Sequence, residues 1–92
     1  EVTDVGAFPN VERDLMLIKV SSDSGAQRSE IRELVDIFRG RIVDVGATEI
    51  MIEISGSEQK LQAFIERMRP FQITELVRTG RIAMIRSDAV EE

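Results

Sequence analysis

The stretch RIVDVGATEIMIEI, residues 41–54, contains two short runs rich in β-branched residues. The runs Arg41–Val45 and Glu49–Ile54 are joined by Gly46-Ala-Thr48, a link of the length and composition found in β-hairpins. In the second run Ile50, Ile52 and Ile54 alternate with other residues, so their side chains share one face. The stretch therefore predicts two adjacent antiparallel strands with an apolar face to bury.

A helical pattern lies on each side of this hairpin. The apolar residues before and after it recur at i, i+3, i+4 and i+7, which is typical of an amphipathic helix that packs along one stripe. They are Ile31, Leu34, Val35 and Phe38 within 26–39, and Leu61, Phe64, Ile65 and Met68 after Ser57. Ser57 is a suitable N-cap for the second helix, and Pro70 should close it. We expect Gly40 to end the first helix in the left-handed conformation that glycine favours there.

Strand-like segments lie at both ends of the chain. Asp14–Val20 is a dense apolar run whose composition favours a strand buried on both faces, and Gln72–Arg78 is a second strand. Arg81–Ile85 is a candidate for a short extra edge strand. The element order predicts an α+β fold, a ferredoxin-like βαββαβ sandwich in which a four-stranded antiparallel sheet carries two helices on one face. We expect residues 1–10 to be a linker, 11–86 the domain and 87–92 an acidic tail.

Composition excludes several classes of function. The formal net charge is −5, so the chain as a whole should repel nucleic acid and anionic lipid surfaces. No apolar run approaches the roughly 20 residues of a membrane helix. The chain has no cysteine, and a reducing cytoplasm is compatible with that. We therefore expect a soluble protein that binds neither nucleic acid nor membranes.

The chain also lacks the usual residues of catalysis. Without histidine or cysteine it cannot build a Ser-His or Cys-His pair or an ordinary zinc site. Asp23 lies in a Ser/Gly-rich loop that lacks the succession of carboxylates a calcium site needs, and that loop is better explained as a helix cap. We predict no catalytic residues, no metal and no cofactor.

Two surface features suggest protein contacts instead. Arg39 and Arg41 flank Gly40, while Arg78 and Arg81 lie close to Gly80, and arginine is frequent at interface hot spots. These four are candidate subunit contacts, although solvated cations near turns would look the same. Leu15 and Leu17 lie on the opposite side of their strand from Met16, Ile18 and Val20. An uncovered apolar sheet face usually marks association, so we expect a homodimer unless a linker or another domain covers that face.

Three blocks carry a resemblance to a known family: VERDLMLIKV at 11–20, VDIFRGRIVDV at 35–45 and ITELVRTGRIAMIR at 73–86. In order and spacing they resemble the C-terminal domain of acetolactate (acetohydroxyacid) synthase small subunits. The resemblance implies a regulatory, non-catalytic partner of a thiamine-diphosphate-dependent catalytic subunit. It implies activation of that subunit and support for its feedback control by valine, leucine and isoleucine, whose biosynthesis the enzyme serves.

The resemblance also limits what this chain should do. In the family the amino-acid effector binds an N-terminal ACT domain at a dimer interface, and no residue of this chain matches that domain. We expect a bacterial cytoplasmic protein, with a plastid as the alternative location. Two other hypotheses remain: a stand-alone oligomerisation or small-ligand-sensing module on the same fold, and an acylphosphatase-like enzyme, against which the lack of a basic phosphate loop counts.

Overall fold

The computed structural model describes residues 7–88 of the chain. Its elements are β1 (Asn10–Ser21), α1 (Gly25–Ile37), β2 (Arg41–Val45), β3 (Glu49–Gly56), α2 (Glu58–Met68), a 3₁₀ turn (Arg69–Phe71), β4 (Ile73–Arg78) and β5 (Ile82–Ile85). The sheet order is β2-β3-β1-β4, every neighbouring pair is antiparallel, and β5 pairs with β1. The ferredoxin-like βαββαβ prediction and the extra edge strand are both confirmed. Residues 1–6 of the predicted linker and 89–92 of the predicted tail lie outside the described residues.

The core lies between one sheet face and both helices. The even-numbered apolar residues of β1, beginning at Met16, and of β3, ending at Ile54, pack against the apolar stripes of both helices. The periodicity predicted these helix stripes. The buried members are Met16, Ile18, Val20, Ile31, Val35, Ile50, Ile52, Ile54, Leu61, Phe64, Ile65, Met68 and Phe71. The Phe64 ring contacts Phe38 edge to face, with ring centroids 5.2 Å apart. This single-sided core fixes which face of the sheet is left uncovered.

The predicted burial of β1 on both faces is wrong for this chain. Leu15 and Leu17 remain 40% and 41% exposed, because both helices cover the opposite face of the sheet. The apolar residues on the uncovered side of β1 therefore have no partner in residues 7–88.

Serine side chains begin both helices. Ser24 accepts a hydrogen bond from the backbone N–H of Gln27, and Ser57 accepts one from that of Lys60, each at 3.2 Å. These bonds satisfy N–H groups that have no partner inside the helix. The predicted cap at Ser57 is therefore present, and the loop before α1 serves as a cap as expected.

The end of α1 differs from the prediction. The left-handed residue is Arg39, with φ 58°, and not Gly40. Arg39 N–H donates to the Asp36 carbonyl and Gly40 N–H to the Val35 carbonyl, which is the hydrogen-bond pattern of a Schellman motif. Glycine is needed one residue later for a different reason, because a Cβ on Gly40 would lie 3.1 Å from the Glu53 carbonyl oxygen.

β1 is longer than predicted and pairs with two successive strands on one side. Its residues Met16–Val20 pair with β4, and Asn10–Arg13, which include the last residue of the predicted linker, pair with β5. The partner of Met16 is Arg78 and the partner of Arg13 is Ile82, so the β4–β5 side contains one extra residue between them. This bulge includes Gly80, whose φ of +86° glycine adopts without strain. We call the paired segments Asn10–Arg13 and Ile82–Ile85 the arm.

Candidate subunit interface

The uncovered side of the sheet, which we call the open face, is apolar at its centre. Leu17 of β1 pairs with Val77 of β4, and Lys19 pairs with Met51 of β3, so these side chains lie side by side. Val77 is 60% exposed. A shallow hollow of about 180 Å³ lies here, lined by Leu17, Lys19, Met51, Glu75 and Val77 among others. The open face can therefore bury apolar surface against a partner.

The arm extends this apolar surface beyond the four-stranded sheet. Successive residues of a strand point to opposite faces, so Val11 and Arg13 share the side of β1 that carries Leu15 and Leu17. Met84 pairs with Val11 and Ile82 pairs with Arg13, which places them on the same side. Ile82 and Met84 are 68% and 76% exposed. The most exposed large apolar side chains of β1, β4 and β5 thus form one strip.

The end of the open face that lies away from the arm is acidic. The Lys19 Nζ lies 3.0 Å from a carboxylate oxygen of Glu75. The pKa of Lys19 is raised, first by its hydrogen bond to Glu75 and the charge of that residue, and then by the charges of Glu49 and Asp44. Three carboxylates therefore lie on the same face of the sheet as this ammonium, one of them in contact with it, and this group of residues has a net charge of −2. We call Lys19, Asp44, Glu49 and Glu75 the acidic end.

The four arginines predicted as contacts lie at one end of the sheet but at its two opposite edges. Arg39 and Arg41 stand at the start of β2, and Arg78 and Arg81 at the end of β4. β3 and β1 lie between these edges, so the two pairs are roughly 14 Å apart at the usual strand spacing. The fold therefore does not bring the four side chains into one cluster.

Arg78 is held by the protein itself. Its Nε and one terminal nitrogen donate to Oδ2 of Asp14 at 3.1 and 2.5 Å, and the Asp14 side chain is only 4% exposed. The other carboxylate oxygen of Asp14 is buried and has no hydrogen-bond partner among the described residues. Arg78 therefore compensates a buried charge, whatever else it contacts.

The other three arginines are more accessible. Arg81 makes an exposed ion pair with Glu12 at 3.1 Å. Arg41 pairs with Glu53 in the β2–β3 register, and neither Arg39 nor Arg41 makes a salt bridge within residues 7–88. These guanidinium groups can meet a carboxylate on another protein without first breaking a buried interaction.

Sequence reasoning missed the arm as a surface. Arg13 and Arg86 were not singled out, yet Arg13 shares the apolar side of the arm and Arg86 lies beside Val11 and Met84. The signal was present in the alternation of residues 11, 13, 15 and 17. It could be used only once the register placed Ile82 and Met84 beside Val11 and Arg13.

Residues 7–88 contain no group of three or more acidic side chains placed to hold a metal ion. Neither helix in that range is long and apolar enough to cross a membrane.

Comparison with known proteins gives a consistent result. The model of a family described as the small subunit of acetolactate synthase matches residues 13–87. The acetolactate synthase small subunit of Aquifex aeolicus is 44% identical over 92 residues, which are 100% of this chain and 48% of that protein. A probable acetolactate synthase small subunit of Archaeoglobus fulgidus is 49% identical over 79 residues, covering 86% of this chain and 49% of its own length.

A solved structure agrees with the sequence matches. The crystal structure of the acetolactate synthase small subunit from Thermotoga maritima superimposes with a TM-score of 0.80 at 44% identity, over 87% of this chain and 48% of that one. The chain thus spans about half the length of these relatives. Together with the ferredoxin-like fold, the match over residues 13–87 shows that this chain belongs to the acetolactate synthase small-subunit family.

Proposed function

We propose that this chain is a regulatory, non-catalytic domain that binds the catalytic subunit of acetolactate synthase and raises its activity. The observation that carries the proposal is the family match over residues 13–87. The small subunit of an enzyme implies a large one, and the exposed arginines and apolar strip supply surface for protein contacts. The chain would act in a bacterial cytoplasm or a plastid.

Feedback control by valine, leucine or isoleucine would be transmitted to the catalytic subunit through this domain, although the amino acid itself would not bind to this domain. The proposed effector site is in an ACT domain of the small subunit, outside this chain. Coupling between two such sites is commonly worth about 1–3 kcal/mol, which corresponds to roughly 5- to 150-fold in affinity. The proposed role of this chain is to transmit that coupling while it self-associates through its open face.

Arg39 and Arg41 are our first proposals for contact with the catalytic subunit, because both are exposed and neither makes an ion pair within residues 7–88. Arg81 would contribute from the other edge. Arg78 would contribute only through the part of its guanidinium group that Asp14 does not bind.

Acetolactate formation by a catalytic subunit, measured with and without this purified chain, tests the proposal. We expect activation that valine, leucine and isoleucine do not alter. The Arg39→Glu and Arg41→Glu variants should weaken activation, whereas Arg32→Glu, the same charge change on the exposed side of α1, should not. Absence of both activation and binding, with the chain alone and with a full-length small subunit, would overturn the proposal.

A second candidate function is ligand sensing without a catalytic partner. The hollow beside Leu17, Met51 and Val77 favours it, because a small apolar ligand could enter there. A ligand-dependent rise in the melting temperature of the isolated chain would support this function. A melting temperature that no branched-chain amino acid changes would argue against it.

A further inference from the structure

We propose that two copies of this chain pack open face to open face in antiparallel orientation, so that the arm of each copy lies over the acidic end of the other. This arrangement deepens the self-association proposed above and rests on it. It assigns the arm, which contributes little to the core, a specific partner surface.

The apolar strip supplies the first reason. Leu15, Leu17 and Val77 on the sheet continue into Ile82 and Met84 on the arm, and all five are at least 40% exposed. A partner that covered only the four-stranded sheet would leave the two most exposed of them in water. A partner as long as the whole strip covers them all, and a second copy of the chain has that length.

The distribution of charge along the strip supplies the second reason. At the arm, Arg13 and Arg86 lie beside the apolar residues, while the neighbouring carboxylate of Glu12 lies on the opposite side of β1 and pairs with Arg81. This side of the arm therefore has a charge of about +2. The acidic end, where Glu75 binds Lys19 and Glu49 and Asp44 lie on the same face of the neighbouring strands, has a charge of −2. The strip is positive at one end and negative at the other.

Symmetry then selects the orientation. A two-fold axis that lies between the sheets and runs across the strands reverses strand direction but keeps β1 over β1 and β4 over β4. The arm, which continues β1 and β4, then lies over Lys19 and Glu75 of the second copy. A parallel arrangement would instead place Arg13 over Arg13 and the two acidic ends together, where like charges repel.

The dimensions are adequate for a dimer. Twelve residues of β1 span about 40 Å and four strands span about 19 Å, but the arm is only two strands wide, so the sheet and arm together present a flat area of roughly 600 Å². Side-chain relief raises the accessible area of such a face. The total approaches the ~800 Å² per partner of a standard specific interface.

Complementary charge reversals provide the test. Arg13→Glu brings a carboxylate over the net-negative acidic end at both symmetric contacts, and Glu75→Arg brings a guanidinium group under the positively charged arm at both contacts. Each variant alone should dimerise about tenfold more weakly, or worse, than the unmodified chain. An equimolar mixture should recover dimers, since a heterodimer pairs opposite charges at both contacts. Analytical ultracentrifugation measures all four samples.

The controls separate this effect from misfolding. Arg32→Glu and Glu30→Arg make the same charge changes on exposed positions of α1 and should leave dimerisation unchanged. Glu75→Arg also removes the ion-pair partner of Lys19 in the same chain. Mixing the two variants does not restore that ion pair, so dimers recovered on mixing report on the contact between chains. Thermal melts by circular dichroism establish that each variant is folded.

Three outcomes would overturn the proposal. A chain that is monomeric at several hundred micromolar would show that something else covers the open face, such as another domain of the same protein. If neither charge reversal weakened dimerisation, the interface would lie elsewhere. If mixing the two single variants did not restore dimers, the antiparallel orientation would be excluded. No catalytic subunit is present in these measurements, so they fail or succeed independently of the activation test.

Discussion

At the scale of single residues, the chain keeps two unfavourable groups that its surroundings compensate. Arg39 occupies a left-handed conformation that costs an ordinary residue about 1 kcal/mol, and the hydrogen bonds at the end of α1 hold it there. Asp14 is a buried carboxylate whose only ionic partner within residues 7–88 is Arg78. At each position, the structure predicts whether one substitution raises or lowers the free energy of unfolding.

Replacing Arg39 by glycine should stabilise the fold. Glycine adopts φ near +58° without the Cβ clash, and the gain outweighs its greater freedom in the unfolded chain. We expect the free energy of unfolding to rise by about 0.5–1 kcal/mol in urea titrations. Arg39→Ala is the control, because it removes the charge but keeps the Cβ. Equal effects of both variants would mean that the charge matters and the backbone conformation does not.

Removing Arg78 should destabilise the fold far more than removing Arg81. Arg78→Leu leaves the Asp14 carboxylate buried without its ion-pair partner, at a cost of about 2–3 kcal/mol. Arg81→Leu breaks an exposed pair with Glu12 and should cost under about 0.5 kcal/mol. Thermal or urea unfolding measures both. Similar losses would contradict the assignment of Arg78 to a buried pair.

The Lys19–Glu75 pair should make stability depend on alkaline pH. Because the pKa of folded Lys19 is raised above its ordinary value of 10.5, folding is favoured below that pH and loses this contribution as pH rises through the raised pKa. The chain has no tyrosine or cysteine, so no phenol or thiol side chain contributes to the pH dependence in this range. Glu75→Gln should bring the NMR titration of Lys19 back toward the ordinary value. An unchanged titration in that variant would refute the pairing.

At the scale of elements, packing is concentrated on one side of the sheet. Phe64 of α2 is fully buried and meets the ring of Phe38, just after α1, so the two helices contact each other as well as the strands. The arm, by contrast, is a two-stranded ribbon that neither α1 nor α2 covers. Stability should therefore respond strongly to changes in the helices and weakly to changes in the arm.

Phe64→Ala should cost about 3–5 kcal/mol of unfolding free energy, because it removes a fully buried ring. Within a double-mutant cycle, the coupling of Phe64 to Phe38 should be about 0.5–1.5 kcal/mol, as for other edge-to-face pairs. Ile37→Ala, at a position that is 67% exposed, should change stability by under about 0.5 kcal/mol. Zero coupling between the rings would contradict the observed contact.

Periodicity was sufficient to predict the elements that bury a face. The isoleucines of β3 and the four-point stripes of both helices lie in the core as predicted, since each apolar face has one place to pack. Periodicity was insufficient on the face of the sheet that neither helix covers. It did not show that Leu15 and Leu17 stay exposed, because apolar residues on two sides of a strand look the same whether or not a partner covers them.

The site was less predictable than the fold. The four arginines were chosen for their residue type and turn-flanking positions, but only register showed that they lie at two edges and that Arg78 is held by Asp14. The partner of Asp14 is 64 residues away in sequence, and no local pattern reports such a contact. For the same reason the arm became visible as a surface only after β5 was paired with β1.

At the scale of the whole molecule, the part of the chain that the structure describes is elongated. Its extents are 52 × 22 × 19 Å, and its radius of gyration of 16.3 Å exceeds the roughly 12 Å of a compact domain of this length. The arm lengthens the molecule without adding to the core. A shape of this kind leaves more surface for contacts than the small core alone would suggest.

Hydrogen exchange should divide the molecule accordingly. In dilute solution, amides of the arm should exchange much faster than those of β3, because a lone two-stranded ribbon is only marginally stable in water. Raising the protein concentration should protect the arm amides that pair β1 with β5 and leave β3 unchanged. Mass spectrometry across a dilution series measures this. Equal protection of arm and sheet at every concentration would mean that the arm is stable without a partner.

The bulge between β4 and β5, which contains one extra residue, determines which face of the sheet the apolar side chains of the arm extend. Side chains alternate along a strand, so if the β4 register continued past Arg78 without the bulge, Arg13 would pair with Arg81 and Val11 with Ala83. Ile82 and Met84 would then turn toward the helix side, and the strip on the open face would end at the sheet. The bulge is thus a one-residue phase shift in the ladder: without any change in the composition of β5, it sets the direction in which the arm presents its apolar side chains.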